Sequence, residues 1–365
     1  MKTLTRMAVI GGSVAAAMTL AGSALAAYAP TLDTSVPNAL GATGTTVVHV
    51  AVGATDDTTA RLAIYAPVNF TAAPGSPGQI IGTADAKVRA LDLGGAIIPV
   101  TGDIEVRAAT GTAIISGAPV PLAVLATQCT GTATHTAFWV LKLSAAGQSL
   151  ELASFWDTTT GPEAALGSGK LTFCLPPDDV PQGTPGRSPL GIKLVDAVLT
   201  FKNVFTNPSS AGQYFWSSFS TPYTPKTGSA NAAGTLAAIS INGLPVVATL
   251  KGAYVKATKS AKLAGQISAA GQLQAGLKLP LFAGPSPPKL KQAGQTGATT
   301  ATGAFTAVKK IVKATYFQVR FAIPATDYTA QACPAVQAKL PVKCASATIG
   351  AFTALTNVVK VTPKK

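Results

Sequence analysis

Residues 315–323 carry the pattern that most limits the fold: Phe317, Val319, Phe321 and Ile323 alternate with Tyr316, Gln318 and Arg320. A period of two sends one set of side chains to a buried face and the other to water, which describes a strand and not a helix. Further strand-like runs recur at 47–52, 61–66, 80–91, 96–106, 120–127, 137–143, 148–156 and 170–175. Each is stopped by turn residues such as Asp56-Asp57, Pro74-Gly75 or Gly94-Gly95. With 35 Gly and 26 Pro as punctuation, and no long helical period after the first residues, the chain predicts an all-β protein. Its 47% hydrophobic content is enough to fill large cores.

The first 26 residues read as a secretory signal. Lys2 and Arg6 precede an apolar, small-residue run, and Ala24-Leu25-Ala26 offers a small-x-small cleavage site. No cysteine follows that run and no sorting motif or apolar tail closes the chain, so neither a lipid anchor nor wall attachment through the C-terminus is expected. No other run approaches the roughly 18 apolar residues of a membrane-spanning helix. The exported part suits two domains of about 100–200 residues each. The preferred division is a first β-sandwich at 27–244 and a second at 245–365, with a boundary at about residue 187, in the proline-rich 176–189 stretch, as the alternative. All four cysteines lie in the exported part, where oxidation favours disulfides, and proximity pairs Cys129 with Cys174 and Cys333 with Cys344.

Charge is divided unevenly. The signal carries net +2, residues 27–244 net −3, and residues 245–365 hold sixteen Lys/Arg against one acid, Asp327, for net +15, together the +14 of the whole chain. Lysines that outnumber local carboxylates so heavily must face water, counterions or an acidic partner. Two clusters stand out: Lys251, Lys256, Lys259 and Lys262, and Lys309, Lys310 and Lys313. For an exported chain the accessible polyanions are cell-wall polymers, acidic glycans and anionic lipid head groups. No nucleic-acid motif is present. The plain alternative is that the lysines only keep a β-protein soluble and guard its edges.

Between the clusters lies a recognisable arrangement. Leu263 and Ile267 flank Gly265, Leu277, Leu279 and Leu281 alternate with Lys278 and Pro280, Gly271 and Gly276 mark a turn, and Gly303-Ala304-Phe305 follows a Pro/Gly-rich loop. This strand, turn, strand, loop, Gly-x-Phe order resembles the carboxypeptidase-regulatory or transthyretin-like β-sandwich and the related bacterial immunoglobulin-like modules. Where that motif has Pro-Leu or Pro-Val, this chain has Gln272-Leu273. The resemblance implies a sandwich of seven or so strands serving as spacer or binding platform, without catalysis. The wider layout, rich in Ala, Gly and Thr, resembles secreted proteins of actinobacteria.

Catalytic constellations are scarce. His49 sits on a strand face with Val47 and Ala51, His135 lies in a Thr-rich turn, and no Gly-x-Ser-x-Gly elbow exists. Asp103 and Glu105, two apart on a strand, would share a face and offer the paired carboxylates of glycoside hydrolysis, although a solvated outer face explains them as well. Asp56-Asp57 and Asp178-Asp179 sit in turns without the spacing of a calcium loop. No metal or cofactor is assigned. Tyr214, Trp216 and Tyr223 are candidate sugar-stacking aromatics, with a filled core as the alternative. The sequence thus points to an exported, non-enzymatic β-protein that binds, adheres or builds at or outside the cell envelope. Glycan binding through residues 214–223 and a glycosidase built on Asp103 and Glu105 are the alternatives.

Overall fold

Alternating burial along its strands commits this chain to sheets with one wet face, and a computed structural model shows where those sheets go for residues 28–145, 148–271 and 275–364. The expected signal at 1–26 and the Gln272-Leu273 position lie outside the described residues. The fold is all-β, with two α-helices among the described residues.

A 14-stranded sheet takes in every described strand between residues 31 and 244 except the 112–121 hairpin, together with 326–327 and 343–349, and curls until its ends meet. The first strand, Thr31–Ser35, pairs with Thr43–Ala51 on one side. On the other it meets Leu236–Leu244 and Lys343–Ile349 through side chains: Thr34 N–H donates to Ser240 Oγ at 2.9 Å, Asn242 Nδ2 to Thr34 O at 2.9 Å, and Thr348 Oγ1 to Leu32 O at 2.8 Å. The enclosed core is a run of rings. Trp139 stacks on Trp156 at 5.5 Å, Trp156 meets Phe205, and Phe205 meets Trp216 edge-on at 5.2 Å.

Two covers sit outside this sheet. Helix α1 (Leu122–Thr130), with the hairpin Thr112–Ile115 and Ala118–Pro121, buries Phe138, Val140 and Phe155. Helix α2 (Thr329–Gln337) buries Ile239 and Ile241 beneath Ala332, Cys333 and Ala347. Each cover is tied down by a cysteine pair at disulfide distance, Cys129 to Cys174 for α1 and Cys333 to Cys344 for α2. Residues 120–127, expected as a strand, largely form α1, because Leu122 and Ala126, four apart, are the positions buried. The loop expected from Ala332 to Cys344 instead begins as the second half of α2, through Gln337, and ends in the strand Lys343–Ile349.

The remaining strands form two facing sheets, an arrangement compatible with a β-sandwich. Val246–Val255, Ser260–Ala269 and Ala304–Lys310 make one; Lys291–Ala298, Lys278–Gly284 and Thr315–Ile323 make the other, with Phe352–Leu355 and Val359–Val361 both on Thr315–Ile323. Leu263, Ile267, Leu279, Leu281, Phe305, Phe317 and Val319 share its core. Gly265 is required there, since a Cβ would lie 2.3 Å from the Phe305 ring and 2.3 Å from Thr249 O. The Asn357 side chain clips the sheets together, accepting from Leu250 N–H at 2.9 Å and donating to Leu250 O at 3.0 Å.

Residues 245–365 are not one uninterrupted unit. After Ile323 the chain returns to the large sheet, where Lys343–Ile349 pairs in parallel with Leu236–Leu244, and only then supplies Phe352–Leu355 to the sandwich. The excursion gives Leu236–Leu244 a cover on its outer face, which accounts for a strand with eight of nine residues buried.

Candidate functional site

The lysines acquire their meaning from strand register. Val246 N–H donates to Asn38 O at 2.8 Å, so the Val246–Val255 strand starts against the large sheet. Nine residue steps later, roughly 30 Å at strand rise, it reaches the hairpin turn holding Lys256 and Lys259. Ser260 pairs with Lys310 and Ala261 with Lys309, which brings the two lysine clusters to that same end, apart from Lys251 midway along its strand. Lys313 follows in the loop before Thr315–Ile323. Lys262 and Lys251 stand on the outward face of the three-stranded sheet, opposite Ala253 and Ala264. All seven candidates are exposed.

Four more lysines, not singled out from the sequence, join this pole. Gly284 pairs with Tyr316 and Ala283 with Lys291, so the connection bearing Lys289 lies beside the start of Thr315–Ile323. Thr315 pairs with Val361 and Tyr316 with Lys360, which places Lys364 there too. The distal pole therefore gathers lysines from four separate segments. Among the described residues none of them has a carboxylate within ion-pair distance. Lys309 Nζ donates to Ala293 O at 2.7 Å, and Lys360 Nζ lies 5.5 Å over the Tyr316 ring. Asp327, the lone acid of this half, sits on the large sheet. Its carboxylate accepts from Thr329 Oγ1 at 2.6 Å and Thr329 N–H at 2.9 Å, bonds that hold it below the usual range.

The sugar platform does not form. Trp216 is 1% exposed, wedged edge-on between Phe70 at 5.6 Å and Phe205 at 5.2 Å, and Tyr214 is buried beside Phe70. Their strand face points into the enclosed core, leaving no ring face for a sugar. Tyr223 is half-buried with its hydroxyl donating to Leu175 O at 2.7 Å.

The carboxylate pair lies on the outer face of the large sheet. Glu105 is held by Lys142 at 3.1 Å and Arg107 at 3.3 Å, while Asp103 is exposed. Burial pushes Glu105 up, but its hydrogen bond and charge partners Lys142 and Arg107 outweigh this and keep it below its usual range. A carboxylate so held is the opposite of the raised general acid that glycoside hydrolysis needs.

Both histidines have acid partners that the sequence did not reveal. His49 Nε2 lies 2.8 Å from Asp196 on the outer face. His135 Nδ1 lies 2.8 Å from Asp157 and its Nε2 3.0 Å from Thr130 Oγ1, an order of groups reminiscent of a hydrolase triad. The Thr130 hydroxyl is also 2.9 Å from Ala126 O, the His135 side chain is 1% exposed, and its ring stacks on Phe155 at 4.9 Å. A hydroxyl at a helix end bonded to the carbonyl four residues back, over a sealed imidazole, is the geometry of a clamp on the α1 terminus.

The two aspartate turns converge on Lys193, which is 4% exposed and donates to Asp56 O. Burial lowers its pKa against the opposing pull of Asp178 and Asp56. The described residues contain no cluster of three metal-ligating side chains. An open cleft of about 620 Å³ beside Pro280, Phe282 and Leu355 carries Arg320, whose guanidinium lies 5.0 Å over the Phe282 ring.

No protein-family profile matches this chain, and no curated protein sequence does.

Proposed function

We propose that this chain is an exported, non-enzymatic protein that attaches to a polyanionic surface at or outside the cell envelope through its lysine pole, as a binding, adhesive or structural component. The observation that carries this reading is the convergence of lysines from four segments on the end of the sandwich farthest from the large sheet, with no Asp or Glu side chain among the described residues there. Lysines needed only for solubility could be spread over every face. Two facing sheets around one core also support the resemblance to transthyretin-like or immunoglobulin-like platforms. Two disulfides suit an oxidising compartment and so support export.

The test is sedimentation of the full mature chain with isolated cell-envelope material, wall and membrane together, across a salt series, beside a variant with Lys256, Lys259, Lys309, Lys310 and Lys313 all changed to Gln. Removing residues 245–365 would be uninformative, because Lys343–Ile349 belongs to the large sheet. Binding that weakens steeply between roughly 0.05 and 0.3 M salt, and is lost in the variant, supports the reading. Equal sedimentation of both proteins refutes it.

A further inference from the structure

The pole is not uniformly polar. Val312 is 92% exposed in the loop between Ala304–Lys310 and Thr315–Ile323, and Val308 is 67% exposed on the outward face opposite Lys262. The Val312 loop is pinned at both sides. Ile311, 6% exposed, is anchored in the sandwich core and its N–H donates to Lys259 O at 3.0 Å, while Thr315 Oγ1 donates to Lys313 O at 2.9 Å. Fixed neighbours hold the valine outward, where it contributes nothing to the core.

We propose that the pole docks on an anionic lipid surface, with Val312 entering the head-group region and the surrounding lysines pairing with lipid phosphates. This rests on the polyanion reading above and assigns its partner. A hydrophilic wall polymer or acidic glycan would satisfy the lysines but would leave Val312 and Val308 in water. Only an interface with an apolar layer beneath a negative one rewards both features at once. Lysine stems can lie along the apolar layer while their ammonium groups stay at phosphate level. The long axis of the sandwich then stands the large sheet away from the membrane.

The experiment is flotation of the full mature chain with vesicles of phosphatidylglycerol and phosphatidylcholine, with vesicles of phosphatidylcholine alone, and with wall material free of lipid. Val312→Asp and the five-lysine Gln variant are run beside the unaltered protein. A side chain exposed to this degree can be changed without touching the core, and an unchanged melting temperature verifies that. We expect binding to the anionic vesicles only, weakened about tenfold by Val312→Asp, the loss expected for failing to bury one valine, and abolished by the lysine changes. A Val312→Trp variant should float at least as well and gain emission quenching by brominated lipid. Unchanged flotation of Val312→Asp overturns the insertion. Binding to wall material but not to vesicles overturns the lipid assignment while the polyanion reading stands, and binding to neither at low salt overturns both.

Discussion

Trp216 separates a structural aromatic from a functional one by measurement. Changing it to Ala removes an indole that is 1% exposed and in edge contact with Phe70 and Phe205, leaving a cavity inside the enclosed core. Substitutions of that type cost about 3–5 kcal/mol, which for a unit of this size lowers the melting temperature by roughly 6–20 °C. Changing it to Phe should behave differently. The buried Trp216 Nε1 has no hydrogen-bond partner among the described residues, so its removal relieves a desolvation cost of about 1–3 kcal/mol that offsets the smaller loss of packing. The expected order is therefore unaltered protein close to Trp216→Phe, with Trp216→Ala far below, read by thermal and urea denaturation followed by near-ultraviolet circular dichroism. A Trp216→Ala protein within 1 kcal/mol of the unaltered one would refute the core assignment and return the ring to the surface.

Other expectations follow from the same geometry. Glu151, 7% exposed, accepts from Arg107 at 2.6 and 3.0 Å and from Ile114 N–H at 2.7 Å, so Arg107→Ala leaves a buried uncompensated carboxylate and should cost about 3–5 kcal/mol. Pairing it with Glu151→Leu should recover most of that loss in urea titrations; no recovery would count against the pairing. At Glu163 burial pushes the carboxyl up, yet hydrogen bonds from Lys170 at 2.7 Å and Tyr65 at 2.8 Å prevail and lower its pKa. Its contribution is present above the ordinary glutamate value and lost as pH falls through the folded one, so Glu163→Gln should flatten the stability profile below about pH 4.3. An unchanged acid limb argues against this ion pair. Removing the Cys129–Cys174 bridge, which spans 45 residues, should cost about 4 kcal/mol, and the 11-residue Cys333–Cys344 bridge about 3 kcal/mol; a larger loss from the shorter bridge would show that the covers, not loop entropy, set the cost.

What the sequence determined by itself was local. A period of two needs only neighbours along the chain, so the strand at 315–323 and the all-β class could be read directly, as could the excess of lysine after residue 245. The pairing of cysteines also followed, since proximity in sequence coincides here with proximity across one cover. Misreadings began where both periods fitted: the short apolar run at 120–127 suits a strand or a helix, and only the packing of Leu122 and Ala126 against Phe138 and Phe155 decides. Alternation at 214–216 could not say whether that face met solvent or a second wall, and the curl of the large sheet supplied the wall. The return of 326–349 to the large sheet was invisible because a parallel pairing across about a hundred residues leaves no local mark. The same holds for the pole. Lysines at 256–259, 289–291, 309–313 and 360–364 meet because three connections and the last strand stand at the same end of two facing sheets, a fact of strand order and register that long-range pairing alone sets.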